Sequence, residues 1–360
     1  MIEAEYEAMN GISPYNVSLW DPELSFIQSV GIVPNLRGPS SPFEYVFSYN
    51  LPSELKQAIS SKLGYSTPRA TLLTSSGTTA NLVALSLVRL LGRRRLWIYL
   101  PAYFQVPIVA QNIGLEVISV PSMWPPQVWK ILEGLDPNVD AVWLTHPMHG
   151  FGNTMGADSI AALANYMEAG GLVLADECFC PNGMELSRHL GKDPSFVGTY
   201  SPHKSVCMNG VKLGIVIADS SQVETLEQRS DVWAGPLTRM TVADAEHFLS
   251  DNYDELAWNL ESKLRVAESA LERICINFDC GLLGTSGVYR AVCVRGLPPE
   301  LEQSEVYIRQ IVHASGTSFI PLHLNYGPSE LSFGFRINLA RWCIKMEAAL
   351  IRLLRVLRTT

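Results

Sequence analysis

A lysine that follows an apolar strand is the residue of this sequence best suited to covalent chemistry. The run Ser201-Pro202-His203-Lys204 comes directly after the apolar segment Val197–Tyr200, so Lys204 lies in a turn at the end of a predicted strand. A lysine amine in apolar surroundings near another cation has a lowered pKa, which Schiff-base chemistry requires. A solvated lysine in a surface loop is the alternative, and this motif alone leaves both open. Lys212 begins the next apolar segment and brings a second cation towards the same edge.

A second motif has the features of a phosphate site at a helix start. The segment Ser75–Asn81 places small and hydroxyl residues between a predicted strand and a helix predicted to begin at Gly77. The first N–H groups of a helix have no partner within it and carry the positive end of its dipole, so they suit a phosphate. The hydroxyls of Thr78 and Thr79 add donors. An ordinary Ser/Thr helix cap has the same composition and remains an alternative.

Two further charged motifs stand where a ligand site could use them. Asp176 and Glu177 end the apolar run Leu172–Ala175, and a carboxylate at a strand end is half-buried and needs a cationic partner. Arg336 lies in the aromatic segment Phe333–Asn338 and needs a counter-anion. That anion is either a structural carboxylate or a substrate carboxylate that the guanidinium binds in a bidentate manner.

These residues have to be positioned by alternating strands and helices. Apolar runs predict strands over 70–73, 96–100, 116–120, 139–144, 171–175, 197–200 and 213–218, with helices over 52–63, 106–113 and 157–168 and from residue 77. Short apolar strands separated by helices indicate an α/β fold, a three-layer sandwich with a mostly parallel sheet. Ligands bind at the carboxyl ends of the strands in such sheets.

The pattern changes after residue 220. A long helix over 240–274, a strand over 288–294, a helix over 299–313, a strand over 331–339 and a helix over 342–357 predict a smaller α+β domain. We therefore expect an N-terminal arm and part of the small domain over residues 1–50, a large domain over 51–240 and a C-terminal small domain over 241–360.

Composition limits the partners of the protein. With 27 Lys and Arg against 35 Asp and Glu, the net charge is −8, opposite in sign to a field that binds nucleic acid or anionic lipid, so we expect a small-molecule substrate, no nucleic acid and no membrane. A hydrophobic content of 47% indicates an oligomer interface beyond the core. Seven cysteines without framework spacing favour reduced thiols and a cytoplasmic location, and the acidic start Met1–Glu5 is unlike a signal peptide.

The order of these motifs along the chain points to a known family. A Gly-Thr-Thr helix start, an Asp at a strand end, a Lys at a later strand end and an Arg in the last domain resemble the fold-type I pyridoxal-phosphate enzymes, in the class I/II aminotransferase-like branch represented by aspartate aminotransferase. The resemblance extends from Tyr49 to the final helix. It implies pyridoxal 5′-phosphate as the cofactor, an L-amino acid as the substrate, and a homodimer whose active sites are shared across the interface.

The resemblance also implies roles for individual residues. The residues that would bind the cofactor phosphate are Gly77, Thr78, Thr79, Ser201 and Lys212, with Tyr49 reaching the phosphate of the neighbouring subunit. The residues that would face the ring are Tyr103, stacked on it, Asp176, paired with its nitrogen, and Asn153, donating to its phenolic oxygen. Lys204 would form the Schiff base and move protons at the substrate α-carbon, and Arg336 would bind the substrate α-carboxylate.

Three departures from the family pattern affect the expected chemistry. The segment His146–Gly156 replaces Asn-Pro-x-Asn-Pro-Thr-Gly, so His149 is an alternative to Asn153 at the phenolic oxygen. Phe179 stands where the family has a tyrosine, which removes a second donor to that oxygen, and Lys212 replaces an arginine and its bidentate contact. These differences put plain transamination in question and leave cofactor binding unaffected.

We expect an aminotransferase that acts at the α-carbon of an L-amino acid. The alternatives are an amino-acid decarboxylase, or an eliminase or cyclase acting on a side chain such as that of a guanidino amino acid, because the same fold serves several reactions. The role of His203 stays open, since Ser-x-His-Lys also occurs in fold-type I decarboxylases. No metal site is expected: His146 and His149 have no third ligand nearby in sequence, and Cys178 and Cys180 are interpreted as core thiols.

Overall fold

The computed structural model describes residues 24–31, 46–66, 69–121, 128–222, 225–227, 232, 235–325 and 332–359. The chain divides into two compact units. The larger unit comprises Pro34–His149 and Met155–Ala257, and the smaller one comprises Met1–Val33, Gly150–Thr154 and Trp258–Thr360. Most of the expected N-terminal arm lies outside the described residues. Among the helices that are described, none has the length and apolar character needed to cross a bilayer.

The larger unit is built on a seven-stranded sheet. Its strands are β1 (Arg69–Thr74), β2 (Arg95–Tyr99), β3 (Glu116–Val120), β4 (Asp140–Thr145), β5 (Leu172–Asp176), β6 (Phe196–Tyr200) and β7 (Gly214–Asp219). They are ordered β1-β7-β6-β5-β4-β2-β3. The run from β6 to β3 is parallel, and β7 is antiparallel to both of its neighbours. The mostly parallel sheet predicted from the sequence is therefore confirmed.

Helices of the larger unit connect its strands and cover the sheet, and further helices belong to the smaller unit. In chain order they are α1 (Leu24–Val30), α2 (Ser53–Lys62), α3 (Gly77–Leu90), α4 (Gln105–Asn112), α5 (Trp129–Leu132), α6 (Ala157–Glu168), α7 (Ser187–Leu190), α8 (Pro202–Ser205), α9 (Arg239–Phe248), α10 (Asp251–Asn277), α11 (Glu305–Ser315) and α12 (Ile344–Thr359). Leu172 and Leu174 of β5 share a core with Val83 of α3. Val173 between them is also fully buried and points to the opposite face. Both faces of the sheet are thus covered, as a three-layer arrangement requires.

The smaller unit contains a three-stranded antiparallel sheet. Its strands are β8 (Cys280–Leu283), β9 (Tyr289–Val294) and β10 (Gly334–Asn338), ordered β10-β9-β8. Strand β8 was not predicted because it has only four residues, includes Gly281 and lies at the edge of the sheet. Helices α11 and α12 pack on each other in the same unit.

Two helices predicted as continuous are interrupted by serines. The helix predicted over 240–274 is divided into α9 and α10, because the Ser250 hydroxyl accepts the Tyr253 N–H at 3.4 Å and starts a new helix. The helix predicted over 299–313 is a 3₁₀ turn, Pro299–Gln303, followed by α11, whose N-cap is Ser304. In both cases the serine side chain replaces a helical backbone bond and sets a new start.

The larger unit extends to Ala257, beyond the boundary expected at residue 240. Three contacts hold α9 and the start of α10 within it. Nε2 of His203 lies 3.1 Å from Nδ1 of His247, the Tyr253 hydroxyl donates to the carbonyl oxygen of Pro202 at 2.7 Å, and Lys62 pairs with Asp254 at 2.7 Å. The pattern of helices and strands changes at residue 220, but the larger unit continues to Ala257.

Candidate functional site

Asp176 and Lys204 emerge at the same edge of the large sheet. Strand β5 ends at Asp176, which lies opposite Thr199 of the parallel neighbour β6. Strand β6 ends at Tyr200, and Lys204 follows in the short helix α8. The topology therefore brings the predicted carboxylate and the predicted amine to the carboxyl ends of adjacent strands, where α/β sheets bind ligands.

The Asp176 carboxylate is buried and held on both oxygens. Its Oδ2 accepts from Nδ2 of Asn81 at 3.0 Å, and its Oδ1 accepts from the N–H of Cys178 at 3.1 Å. Only 3% of the residue is exposed. The sequence predicted a cationic partner, but these two donors are neutral. The carboxylate charge is therefore available to pair with a cationic group of a ligand.

Asn81 is a site residue that the sequence reasoning missed. Its amide oxygen accepts from Oγ1 of Thr199 at 2.7 Å while its amide nitrogen donates to Asp176, so it joins α3 to both β5 and β6. The one available signal was a buried asparagine on an otherwise apolar helix face, between Ala80 and Val83. A buried amide has to find hydrogen-bond partners, and here they are the ends of two strands.

Aromatic rings surround the Lys204 amine. Its Nζ lies 6.0 Å from the ring centroid of Tyr103 and 5.4 Å from that of Phe179. The Tyr103 ring meets His149 edge to face, with centroids 6.1 Å apart. His149, one of the two candidates for the phenolic oxygen, is thus next to the predicted stacking residue. Flat rings beside an amine suit a planar conjugated ligand.

The first turn of helix α3 is capped by side-chain hydroxyl groups. Oγ of Ser76 accepts the N–H of Thr79 at 3.1 Å and lies 2.9 Å from Oγ1 of the same threonine. The Thr79 hydroxyl therefore takes part in the helix cap, while Thr78 is exposed on the first turn. A contact from either threonine to a phosphate stays a prediction.

Gly77 lies directly against Ser201. A Cβ at Gly77 would be 2.6 Å from Oγ of Ser201 and 3.1 Å from Sγ of Cys178, closer than a side chain can approach. Ser201 is fixed by donating its hydroxyl to the carbonyl oxygen of Leu213 at 2.8 Å. The missing side chain lets the first turn of α3 approach Ser201 closely, and the N–H groups at this helix start suit an anionic group such as phosphate.

Lys212 and Tyr49 were also predicted to bind the phosphate, but the contacts described for them are with other groups. Lys212 is exposed and its Nζ donates to the carbonyl oxygen of Asn209 at 3.1 Å. Tyr49 is 40% exposed, in the turn Ser48–Asn50, and stacks on Phe47 with centroids 5.1 Å apart. An exposed ring is compatible with the predicted reach of Tyr49 to a neighbouring subunit.

Two predicted site residues belong to the smaller unit. Arg336 is fully buried in β10, and its guanidinium lies 5.3 Å from the ring centroid of Tyr289. Asn153 is also buried, and neither of its amide atoms has a hydrogen-bond partner in the described part of the chain. An unsatisfied buried amide costs about 1–3 kcal/mol, so a ligand that bonds to it gains affinity.

His203, next to the lysine, is stacked on a second histidine. Its ring and that of His247 are 5.3 Å apart and nearly parallel, with Nε2 of His203 3.1 Å from Nδ1 of His247. Burial, and then the neighbouring His247, lowers the pKa of His203 to about 3. His203 is therefore neutral at physiological pH, and one ring donates a hydrogen bond to the other.

Comparison with known families matches residues 38–320 to a family described as aminotransferase class I and II. A histidinol-phosphate aminotransferase from Flavobacterium johnsoniae is 25% identical over 183 residues, which are 49% of this chain and 51% of that protein. The chain thus matches about half the length of this curated relative.

Solved structures resemble the whole chain at low sequence identity. The protein YbdL from Escherichia coli, for which a methionine aminotransferase function is described, has a TM-score of 0.76 and 16% identity, covering 98% of this chain and 96% of its own. An aspartate aminotransferase from Thermus thermophilus, solved with maleate, has a TM-score of 0.76 and 14% identity, covering 99% of this chain and 95% of its own. At this identity the likeness shows the fold.

Proposed function

The chain belongs to the aminotransferase class I and II family, and on that premise we propose that it is an aminotransferase acting at the α-carbon of an L-amino acid. Its cofactor is pyridoxal 5′-phosphate, which members of this family use. The observation that carries the proposal is the pair formed by Lys204 and the buried Asp176 at the carboxyl ends of neighbouring strands.

The residues of the large unit fit this cofactor. When bound, it supplies an electron sink for the bond that breaks at the α-carbon. Asp176, held by Asn81, would keep a positive charge on the ring nitrogen. The cradle of Gly77 and Ser201 at the start of α3 would bind the phosphate, with Thr78, Thr79 and Lys212 as further donors.

Lys204 would both hold the cofactor and move a proton. Its Nζ lies near the rings of Tyr103 and Phe179. Once released from the cofactor, the amine would carry a proton to and from the substrate α-carbon. Phe179 offers no hydroxyl, so the phenolic oxygen would be bonded by Asn153 or His149. Arg336 would bind the substrate α-carboxylate.

We also propose a cytoplasmic homodimer with shared active sites. The exposed ring of Tyr49 supports a contact with the cofactor phosphate of the other subunit. Exposed apolar side chains such as Ile108 and Leu91 support a buried interface. All seven cysteines are free thiols, which supports a reducing compartment.

Covalent labelling tests the site. The purified protein should absorb as a yellow holoenzyme, and borohydride reduction followed by peptide mapping should find the cofactor on Lys204. The variant Lys204→Ala should lose this adduct, while Lys192→Ala, which removes an exposed lysine, should retain it. An unchanged adduct in Lys204→Ala would overturn the assignment.

The reaction type is tested with a panel of L-amino acids in the absence of a keto-acid acceptor. Transamination predicts a single stoichiometric conversion to the pyridoxamine form with release of a 2-oxo acid, and continued turnover only when an acceptor is added. Turnover without acceptor, with release of carbon dioxide or of an eliminated or cyclised product, would replace the aminotransferase by one of the alternative reactions.

Subunit complementation tests the shared sites. Tyr49→Ala should weaken cofactor binding, and Lys204→Ala should be inactive. Mixed dimers of these two variants contain one site in which both residues are intact, so co-expression should give more activity at limiting cofactor than either variant gives alone. A monomer by light scattering, or no restoration in a proven mixed dimer, contradicts the shared site.

A further inference from the structure

We propose that His146, Glu177 and Cys180 form a buried site for a divalent cation of the zinc class, separate from the cofactor site. One ligand atom from each side chain lies within 4.8 Å of the other two, and all three residues are buried. The combination of imidazole nitrogen, carboxylate oxygen and thiol sulfur is the ligand set that zinc takes in proteins. No metal was expected from the sequence, because Glu177 and Cys180 are more than 30 residues away from His146.

The sheet brings the three side chains together. His146 follows β4 and Glu177 follows β5, and the two strands are parallel neighbours in which Thr145 lies opposite Asp176. The N–H of His146 extends this ladder by donating to the carbonyl oxygen of Asp176 at 2.9 Å. Cys180 lies in the turn that follows Glu177. Its N–H donates to the Glu177 carbonyl oxygen at 3.1 Å, and this bond closes the turn.

The imidazole of His146 is oriented as a metal ligand. Its Nε2 lies 3.1 Å from the carbonyl oxygen of Met184, which can only accept, so Nε2 carries the proton. The lone pair is therefore on Nδ1, and this atom has no hydrogen-bond partner among the residues that the structure describes. Metal-bound histidines usually donate their other N–H to such an oxygen.

Glu177 presents a second buried atom without a well-aligned hydrogen bond. The residue is 2% exposed, and its Oε1 accepts the N–H of Leu186 at 2.6 Å. No well-aligned hydrogen bond from the described residues reaches its Oε2, although the Tyr200 hydroxyl interacts with the carboxyl group. The neighbouring carboxylate of Glu185 is satisfied by Arg188 at 2.6 Å and by the N–H of Gly183. A buried acceptor without a donor is costly, and a cation removes that cost for both Glu177 and His146.

The charges of the site balance when a divalent cation binds. Metal binding requires the carboxylate form of Glu177 and the thiolate form of Cys180. Any proton on Oε2 or Sγ leaves to solvent as the metal–oxygen or metal–sulfur bond forms, with no redox change. The two negative charges then match one cation of charge two.

The dimensions allow tetrahedral coordination. Bond lengths of about 2.0 to 2.3 Å place the ligand atoms of a zinc site about 3.5 Å apart, so the three side chains have to close by about 1 Å. A cavity of about 10 Å³ lies beside two of the three ligands, Glu177 and Cys180, and has room for about one water. A bound cation would link the end of β4, through His146, to the end of β5, through Glu177, next to Asp176.

Metal content and X-ray absorption of the holoenzyme test the site. The protein is stripped with a chelator, given zinc and dialysed. We expect stoichiometric retained zinc, with one sulfur neighbour at about 2.3 Å and nitrogen or oxygen neighbours at about 2.0–2.1 Å. Cys180→Ser should lose the sulfur neighbour. It should also bind zinc more weakly by more than the roughly 10- to 100-fold that loss of an outer partner costs. Cys178→Ser, a buried thiol of the same turn, should keep both properties.

Three results would overturn the proposal. They are no retained zinc in the wild-type holoenzyme, coordination without sulfur, or a sulfur signal that persists in folded Cys180→Ser and so identifies an adventitious site. The first two are measured on the unaltered chain, so they decide the question even if the variant does not fold. A normal internal adduct at Lys204 in the same samples keeps this test independent of the proposed activity.

Discussion

Asn81 in α3 and Asp176 at the end of β5 are joined by a hydrogen bond of 3.0 Å from Nδ2 to Oδ2. Thr199 holds the other end of the Asn81 amide at 2.7 Å, so a helix and two strands together orient one carboxylate. The carboxylate is thus held at a fixed angle before any ligand binds.

Removing this support should slow the reaction without unfolding the protein. A hydrogen bond to a charged group contributes about 1.5–3 kcal/mol, so we expect Asn81→Ala to lower kcat by about 10- to 100-fold. Single-turnover absorbance of the amino-acid half-reaction measures the effect. Asn165→Ala, at an exposed position of α6, is the control. An unchanged kcat in a folded Asn81→Ala holoenzyme would show that Cys178 alone orients the carboxylate.

A methyl group at Gly77 should weaken cofactor binding. The added Cβ would lie 2.6 Å from Oγ of Ser201, so the helix start and the serine have to separate. Overpacking of this kind costs about 1–3 kcal/mol, and we expect the cofactor Kd of Gly77→Ala to rise by about 10-fold. Titration of apoprotein with cofactor provides the Kd.

The matched control is Gly156→Ala, where an added Cβ has nothing within 4 Å. A Gly77→Ala protein that binds cofactor as wild type does would exclude the cradle as the phosphate site.

The ion pair between Arg95 and Asp140 should make the fold sensitive to acid. Nε and Nη2 of Arg95 meet the two oxygens of Asp140 at 2.6 and 2.9 Å, and Asp140 is fully buried. Burial alone would raise the pKa of Asp140, but the Arg95 guanidinium and the Asp136 N–H outweigh it and hold the pKa below the usual 3.8. The stabilisation is therefore complete above that value and is lost as pH falls through the lower, folded-state pKa.

We expect Asp140→Asn to lower the free energy of unfolding by about 2 kcal/mol at neutral pH. The difference from wild type should shrink as pH falls below 3.8. Urea denaturation at several pH values measures both effects. Arg265→Gln breaks an exposed pair with Glu261 and should cost only about 0.5 kcal/mol. An equal loss in both variants would contradict the role given to burial.

The stacked histidines should make the free energy of unfolding depend on pH in a second interval. His203 has a pKa lowered from 6.5 to about 3, and burial followed by the charge of Lys62 also lowers the pKa of His247. The fold thus favours neutral His203, so its contribution is present above pH 6.5 and is lost as pH falls towards 3. His203→Asn should have a flatter stability profile over that interval, measured by urea midpoints. His189→Asn, at an exposed site, should follow wild type.

Elements with strong local patterns were predictable, and contacts across elements were not. Apolar runs with turns at their ends located β5 and β6, and so placed Asp176 and Lys204 at strand ends. Asn81, His247 and the grouping of Glu177 with His146 depend on which strands and helices are neighbours in space. No spacing in the sequence carries that information, because the residues concerned are separated by whole strands and helices.

The position of Gly150–Thr154 has a consequence for the order in which the chain can fold during synthesis. The carbonyl oxygen of Gly152 accepts from the N–H groups of Thr285 and Ser286, at 3.0 and 2.9 Å. Thr285 and Ser286 are synthesised, and leave the ribosome, long after the loop Gly150–Thr154 does. The seven strands of the large sheet are complete at Asp219, but the loop that carries Asn153 has to wait for the later half of the chain. A nascent chain can therefore form the strands that lead to Asp176 and Lys204 before the loop that carries Asn153 acquires its hydrogen bonds to Thr285 and Ser286.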